Sequence, residues 1–281
     1  WVSPTQTPLG TISGSSSQPS GQNNFSQSLE NTTNLPAQAA YVVIPKTASC
    51  IGLSFNINVI VNPGTSLSSS LNPPAICSNT IFSYTPVSNT NTVINYNWTR
   101  AIVAGISNGA GAGTGNPNET LINTTTTKQT VVYVYTFTTS GGCMNTQNVV
   151  VDVYPTPVFS SSTAVTSICS GNVFTYLPLS NTNGSTTQWS RSNIPGIANA
   201  AESGTGNPNE KLINTTLANI SVDYNYSITA NGCSSEQIIT VIVKPVPVVL
   251  AKSATICSGA TFIVEPTLVP AGTKYTWAEP V

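Results

Sequence analysis

The sequence predicts an all-β protein in which β-sandwich modules follow one another in an extended array. The stretch that begins at Trp98 recurs at Trp189, an offset of 91 residues (189 − 98), and about ninety residues is typical of one sandwich module. Apolar residues alternate with polar ones in several short segments, for example at Tyr133, Tyr135 and Phe137, which indicates half-buried strands. No segment has the spacing of an amphipathic helix.

Proline-containing segments mark the predicted module boundaries. Proline cannot donate to a β-ladder and stiffens an extended linker, and it follows predicted strands at Pro63, Pro155 and Pro245. We call the resulting divisions the first to fourth modules. They are the C-terminal part of a module at 1–63, complete modules at 64–155 and 156–245, and the N-terminal part of a further module at 246–281.

The complete modules share one order of elements. An Ile-Cys-Ser turn precedes a Phe-x-Tyr strand, a strand with Trp98 or Trp189, a glycine-rich loop, a tyrosine-rich strand, a Gly-Cys turn and a last strand. The order Cys, Trp, Cys is typical of immunoglobulin-like sandwiches, whose tryptophan lies in the core. We therefore predict that Trp98 and Trp189 are core residues, whereas exposed tryptophans would stack on sugars.

Six cysteines allow two natural disulfide pairings. Pairing within modules is favoured and joins Cys77 to Cys143 and Cys169 to Cys233, leaving Cys50 and Cys257 to partners elsewhere. One difficulty is that these positions lie near opposite ends in the usual immunoglobulin topology. The alternative pairs neighbours in sequence: Cys50 with Cys77, Cys143 with Cys169, and Cys233 with Cys257. Without histidine or a C-x-x-C pair, a zinc site is not expected.

Composition excludes several classes of function. Only 6% of residues are charged, the net charge is −1 and histidine is absent. Nucleic-acid binding requires clustered basic residues, and catalysis usually requires a titratable pair or an activated nucleophile. We therefore expect no nucleic-acid partner, no enzymatic activity, no metal and no cofactor. We also expect no membrane span, since no apolar run reaches about 20 residues, and interpret the sequence as an internal piece of a longer, processed polypeptide.

The glycine-rich loop is the best candidate for a contact site. Its repeated Gly-Thr-Gly-Asn-Pro-Asn-Glu sequence has no strand–loop–helix context for phosphate binding. The structural interpretation, which we favour, is that glycine and Asn-Pro shape a turn that returns the chain to the core. The functional interpretation is that the loop presents polar groups to a glycan or to the adjacent module. The candidate residues are Asn116, Asn118, Glu119, Asn207, Asn209 and Glu210.

These motifs resemble a known family. The series Ile-Cys-Ser-Gly-x-x-Phe, Tyr-x-Trp, the Gly-x-Gly-Asn loop with Leu-Ile-Asn-Thr-Thr, Asn-Gly-Cys and a Val-x-Val-x-Pro-x-Pro exit is similar to the tandem PKD-like, immunoglobulin-like repeats of giant surface proteins from Bacteroidota. Gliding-motility adhesins and cell-surface filaments belong to this group. The resemblance covers nearly the whole chain and implies secretion, commonly by the type IX route, and a location at the cell surface.

The expected function is therefore mechanical. We predict a structural repeat segment of a long secreted adhesin or filament that acts as a stalk or spacer with weak adhesive contacts. The expected partners are neighbouring modules, like chains in a filament and surface glycans. The alternative is an array of glycan-binding modules in a secreted polysaccharide-processing protein, which would require an exposed aromatic platform.

Overall fold

The computed structural model describes residues 1–91 and 93–279, and within them the regular structure is entirely β-strand. Residue 92 of the predicted second module and residues 280–281 of the fourth lie outside the described residues. The chain forms two compact units, Trp1–Val153 and Tyr154–Val281. It is all-β and consists of tandem immunoglobulin-like sandwich modules, as predicted. Each sheet takes its strands from within one predicted module, while the module boundaries themselves stay a prediction.

The first module contains a three-stranded antiparallel sheet and a short ribbon. The sheet has the order β1-β4-β5 and the ribbon pairs β2 with β3. Inward-facing side chains alternate along β4, where Ala37, Ala39 and Tyr41 are buried. The strands are β1 (Thr5–Thr7), β2 (Ile12–Ser13), β3 (Glu30–Asn31), β4 (Ala37–Val43) and β5 (Phe55–Val61).

The second module is a complete sandwich. A five-stranded sheet of order β6-β12-β11-β8-β9 faces a ribbon of β10 and β7. Val131, Tyr133, Tyr135 and Phe137 alternate along β11 and are fully buried between the layers. The strands are β6 (Ile76–Cys77), β7 (Thr80–Phe82), β8 (Val93–Arg100), β9 (Gly111–Thr114), β10 (Glu119–Leu121), β11 (Gln129–Thr139) and β12 (Met144–Tyr154).

The third module repeats this topology with the order β13-β19-β18-β15-β16 and a ribbon of β14 and β17. Its last hairpin turns through Asn231 and Gly232, whose φ angles are 52° and 80°, as a two-residue type I′ turn requires. The strands are β13 (Ile168–Cys169), β14 (Val173–Phe174), β15 (Thr186–Arg191), β16 (Glu202–Thr205), β17 (Glu210–Lys211), β18 (Ile220–Ala230) and β19 (Cys233–Lys244).

The two cysteines of a module lie at opposite ends of its last strand. β19 begins at Cys233 and ends at Lys244, and Cys169 pairs in parallel register with Lys244. A strand of 12 residues spans roughly 35–40 Å, whereas the Cα atoms of a disulfide lie within about 7 Å. Cys143 and Cys169 accordingly carry free thiols, so the favoured pairs Cys77–Cys143 and Cys169–Cys233 are not formed.

The alternative disulfides, between cysteines that follow one another in the sequence, are not formed either. Cys50 and Cys257 are free and exposed, like Cys143 and Cys169. Cys77 and Cys233 are the residues engaged in disulfide bonding. Both pairings considered from the sequence therefore differ from the structure, because strand length and register separate residues that the repeat pattern groups together.

The fourth module has the first-half sequence signature but no strand within residues 246–279. Phe262 follows its Ile-Cys-Ser-Gly motif as Phe174 does in the third module, yet Phe262 is 63% exposed and Phe174 only 2%. Phe174 packs on Tyr224 of the tyrosine-rich strand, with ring centroids 4.8 Å apart. Residues 246–279 hold no such tyrosine-rich strand, so these apolar residues lack the surface that buries their counterparts.

Candidate functional site

The glycine-rich loop of the second module ends in a buried ion pair. Nε of Arg100 donates to Oε2 of Glu119 at 2.9 Å, and Nη2 donates to Oε1 at 2.9 Å, which is the bidentate geometry of strong arginine–carboxylate pairs. The guanidinium also donates to the carbonyl oxygens of Gly109 and Ala101. The Tyr133 hydroxyl donates to Oε2 of Glu119 at 2.7 Å. We call Arg100, Glu119 and Tyr133 the second-module triad.

The third module builds the same arrangement, the third-module triad, from Arg191, Glu210 and Tyr224. Nε and Nη2 of Arg191 donate to the two oxygens of Glu210 at 3.0 and 2.7 Å, and the Tyr224 hydroxyl donates to Oε2 at 2.5 Å. This triad is more deeply buried, because the Glu210 side chain is 5% exposed and that of Glu119 is 20% exposed. Two modules thus place one acid, one base and one hydroxyl in the same internal position.

The pairing holds the glutamates in their charged form. Hydrogen bonds from Arg100 lower the pKa of Glu119 despite burial, which acts in the opposite direction, and the Tyr133 hydroxyl lowers it further. Burial raises the pKa of Glu210, but hydrogen bonds from Arg191 and Tyr224 outweigh it and leave that pKa lowered. Burial and the glutamate acceptor raise the pKa of Tyr133. A charged pair with a neutral phenol is suited to holding the sandwich together, not to proton transfer near neutral pH.

The asparagines of the loop serve its own fold. Oδ1 of Asn116 accepts from the backbone N–H groups of Tyr84 and Asn118 at 2.8 and 3.1 Å, and Nδ2 donates to Ser83 at 2.7 Å. Asn118 has a positive φ of 48°, which asparagine tolerates better than most residues. The amide of Asn116 thus ties the loop to the chain that follows β7.

The loop of the third module is tied in the same way. Oδ1 of Asn207 accepts from the backbone N–H groups of Tyr176 and Asn209 at 3.0 and 3.2 Å, and Asn209 has a φ of 51°. All four asparagines among the six candidate contact residues are exposed. The side chains of Asn116 and Asn207 nevertheless bind groups of their own modules, as those of Glu119 and Glu210 do.

A second asparagine clamps the sandwich, and the sequence did not single it out as a site. Nδ2 of Asn123 donates to the carbonyl oxygens of Thr127 and Val153, both at 2.8 Å, so it joins the loop before β11 to the end of β12. Asn31 and Asn214 make the corresponding bonds in the first and third modules. The recurring Asn-Thr-Thr sequence was the available signal for this clamp.

The two repeated tryptophans are buried. Trp98 and Trp189 are 6% and 5% exposed, and each indole packs edge-on against the triad tyrosine, at 5.4 Å from Tyr133 and 5.5 Å from Tyr224. Gly113 lies so close that an added Cβ would be 2.8 Å from the Trp98 ring. Neither tryptophan offers a face on which a sugar would stack.

The sequence missed the partnership within each triad. It marked Glu119 as a candidate contact residue and Tyr133 as part of a half-buried strand, and it connected neither residue to Arg100. The available signal was spacing, since arginine, glutamate and tyrosine recur together from Arg100 to Arg191, Glu119 to Glu210 and Tyr133 to Tyr224, always 91 residues apart.

Two further findings concern the described residues. Within 1–91 and 93–279, no group of three or more His, Cys, Asp or Glu side chains could hold a metal ion. In the same part of the chain, no helix has the length and apolarity needed to cross a membrane.

Comparison with solved structures finds similarity to several proteins, all at low identity. The insect immune protein hemolin is 11% identical over 74% of this chain and 56% of its own, with a TM-score of 0.33, so this chain spans about half of hemolin. Domains 3–5 of Drosophila OTK are 12% identical over 74% and 70% of the two chains, with a TM-score of 0.33. Repeats EC22–24 of mouse cadherin-23 are 10% identical over 87% and 86%, with a TM-score of 0.29.

Comparison with protein families is more specific. No curated protein matches the chain. Residues 74–157 match the family model described as a PKD-like domain, and this range includes all strands of the second module from β6 to β12. The third module has the same sheet order and the same triad. The chain therefore contains an immunoglobulin-like, PKD-like repeat.

Proposed function

We propose that this chain is a structural repeat segment of a long secreted adhesin or extracellular filament of the kind found in giant Bacteroidota surface proteins. Its task is to act as a stalk or spacer at the cell surface. The observation that carries the proposal is what the polar side chains of the candidate contact loop bind. In both complete modules, the glutamate and one asparagine of this loop bind groups of their own module, so the repeated residues serve mechanical cohesion.

The cysteine chemistry supports an extracellular location. Cys77 and Cys233 are disulfide-bonded, and disulfides persist in oxidising compartments such as the periplasm and the cell surface. The PKD-like match to residues 74–157 agrees with a repeat unit of a surface protein. Type IX secretion and a role in gliding motility belong to this proposal through the family resemblance.

The absence of enzymatic activity is also part of the proposal. The sequence contains no histidine, and Glu119 and Glu210 are held by arginine in their charged state. A general acid or base needs a pKa near the working pH, and the pKa values of these glutamates are lowered instead. Neighbouring modules and like chains are the partners that a stalk requires.

Single-molecule force spectroscopy tests the mechanical role. The chain is tethered at both ends between marker domains and pulled in the presence of a reductant. We expect two sharp unfolding events, one for each complete module, each releasing about 29 nm of contour length, because roughly 80 residues extend by about 3.6 Å each. A gradual extension without force peaks would contradict the proposal.

A glycan array tests the alternative function with the same protein. We expect no saturable signal, since Trp98 and Trp189 are buried. A signal that disappears in the double variant Asn118→Ala, Asn209→Ala would instead assign the exposed loop positions to glycan binding. The control is Asn95→Ala, because Asn95 is exposed on β8.

A further inference from the structure

The last strand of the first module lies at an open edge of its sheet. β5 pairs only with β4, whereas β12 and β19 each lie between two strands, one of which is the short Ile-Cys strand β6 or β13. In the third module, this short strand runs parallel to the end of β19, and the N–H of Ser170 donates to the carbonyl oxygen of Lys244 at 2.7 Å. The described residues of the first module provide no counterpart of β6, and an open edge of this kind accepts strands from other chains.

The inner face of the same strand is incompletely covered. The inward side chains of β12 and β19 are fully buried, whereas those at the corresponding positions of β5 are only partly buried. In the complete modules, the isoleucine of the Ile-Cys strand, Ile76 or Ile168, packs against this core. The inward residues are Val149, Val151 and Val153 of β12, Ile239, Val241 and Val243 of β19, and Ile57, Val59 and Val61 of β5.

A groove lined in part by aromatic and apolar side chains continues this surface at the start of β5. Phe55, on the wall of this groove, is 49% exposed and pairs with Val43. The corresponding residue of β12 is Gln147, whose amide oxygen accepts the N–H of Leu67 at 2.5 Å. Leu67 belongs to the segment that precedes the Ile-Cys turn, so in a complete module that segment covers this position.

Residues 246–264, which we call the docking segment, have the sequence that covers such a surface in the complete modules. The cysteine and phenylalanine of its Ile-Cys motif follow those of the third module at one offset of 88 residues (257 − 169 and 262 − 174). Ile256 is 48% exposed and Phe262 is 63% exposed, and the segment contains one charged residue, Lys252. One chain thus carries an uncovered half of a sandwich and an exposed copy of the half that covers it.

We propose that the docking segment of one copy of this chain binds the first module of a second copy and completes its sandwich. Ile256 then lies beside Val61, as Ile168 lies beside Val243 in the third module, and the residues before Ile256 cross Phe55. Two different surfaces meet, so the contact is heterologous and links copies head to tail. The contact gives the proposed stalk or filament segment, on which this inference rests, its partner: a like chain.

Sedimentation velocity of the full chain over a range of concentrations tests the contact, with a reductant present to prevent disulfides between copies. We expect the parent chain to form dimers and larger oligomers. Ile256→Asp and Phe55→Asp should each weaken association by at least about tenfold, because each places an unpaired charge in a contact that excludes water. Leu268→Asp and Ile60→Asp are the matched controls and should associate like the parent chain. Leu268 is 82% exposed outside the docking segment, and Ile60 is 68% exposed on the outer face of β5.

An equimolar mixture of the two docking variants distinguishes head-to-tail contact from other kinds of association. Ile256→Asp keeps an intact first module, and Phe55→Asp keeps an intact docking segment. The mixture should therefore form dimers and nothing larger, since one intact contact leaves only altered surfaces at both ends of the dimer. A parent chain that is monomeric at every concentration, or docking variants that associate as the parent does, would overturn the proposal. Either result leaves the proposed mechanical function standing, because the two unfolding events under force test it separately.

Oxidation of the associated chains reports the register of the contact. Docking places Cys257 beside Asn62, as Cys169 lies beside Lys244, and Nδ2 of Asn62 lies 3.9 Å from Sγ of Cys143. Cys257 of one copy and Cys143 of the next are free thiols. They should form a disulfide when oxidised glutathione takes up their two protons and two electrons and becomes two molecules of glutathione.

Peptide mapping by mass spectrometry identifies the linked cysteines. Cys257→Ser should abolish the covalent oligomers, whereas Cys50→Ser should leave them unchanged. Oligomers that stay non-covalent under oxidised glutathione, or that are linked through other cysteines, would overturn the proposed docking.

Discussion

The first module and the complete modules each bury a tyrosine hydroxyl, but they provide different hydrogen-bond acceptors for it. In the second module, Tyr133 donates to the carboxylate of Glu119 at 2.7 Å. In the first, Tyr41 donates to the amide oxygen of Gln27 at 2.6 Å. Gln27 and Glu119 occupy one repeat position, each four residues before the clamp asparagine, Asn31 or Asn123. One module uses a charged acceptor there and the other uses a neutral one.

The difference follows the presence of arginine. The first basic side chain of the sequence is Lys46, so the first module has no counterpart of Arg100. The Nε2 of Gln27 instead donates to the carbonyl oxygen and hydroxyl of Ser16 at 2.8 and 2.9 Å. A buried carboxylate without a cation is costly, whereas a hydrogen-bonded amide is not. The comparison teaches that the loop carries a glutamate at this position only where the module also has the arginine that neutralises it.

The largest expected loss of stability comes from removing only the arginine of a triad. Arg191→Met leaves Glu210 buried without its cation and should lower the free energy of unfolding of the third module by about 3–5 kcal/mol. Arg100→Met should cost less, because the Glu119 side chain is 20% exposed and that of Glu210 only 5%. Hydrogen-exchange mass spectrometry of β11 and β18 measures each module separately. Equal protection of β18 in the parent chain and in Arg191→Met would contradict this account.

Removing the tyrosine hydroxyl should distinguish the two kinds of acceptor. Tyr133→Phe and Tyr224→Phe each lose a bond to a charged group and should cost about 1.5–3 kcal/mol. Tyr41→Phe loses a bond to a neutral amide and should cost about 0.5–1.5 kcal/mol. Exchange rates in β4, β11 and β18 provide the measurement. A larger loss in the first module than in the other two would show that the charge of the acceptor is irrelevant.

A methyl group placed under the core tryptophan should have an intermediate effect. An added Cβ at Gly113 would lie 2.8 Å from the Trp98 ring, and at Gly204 3.0 Å from the Trp189 ring. We expect Gly113→Ala to cost about 1–3 kcal/mol by overpacking and Gly204→Ala to cost less. Gly109→Ala is the control, because a Cβ there meets no atom within 4 Å. Urea unfolding followed by tryptophan fluorescence ranks the three variants.

The smallest expected difference separates the second and third modules in acid. The pKa values of Glu119 and Glu210 are lowered, so their stabilisation is complete above the unfolded pKa and is lost as pH falls through the folded pKa. The pKa of the neighbouring Glu202 is raised by a hydrogen bond to the Glu210 carboxylate and by repulsion from it. Glu202 therefore affects the stability of the third module in the opposite direction, and adds to it as pH falls through this raised pKa. In the sheet of the third module, Glu202 lies opposite Arg191. The residue opposite Arg100 in the second module is Gly111, so that position has no carboxylate.

The third module should therefore gain slightly in stability as pH falls through the raised pKa of Glu202, before the loss that both modules share. Exchange protection in β18 and β11, recorded from pH 7 to below pH 4, provides the measurement. Glu202→Gln should remove the initial gain. Parallel curves for the two modules in the parent chain would contradict this interpretation.

The sequence predicted the fold well because the relevant signals are local. Alternation along β11 and the Asn-Gly turn before Cys233 each act over a few residues, and the repeat showed them more than once. The favoured pairing of the cysteines was wrong, because the parallel register places Cys169 beside Lys244, a full strand length from Cys233. The triad was also missed, since Arg100 and Glu119 meet only when β8 and β10 face each other across the core.

The most direct test of the internal role of the loop is a double-mutant cycle on the third module. Arg191→Met, Glu210→Gln and the double variant are compared by hydrogen exchange in β18. The double variant reproduces the neutral pattern of the first module, so we predict that it recovers most of the stability lost in Arg191→Met. If the losses of the two single variants simply add in the double variant, the two residues are not a coupled pair, and the account of the loop is contradicted.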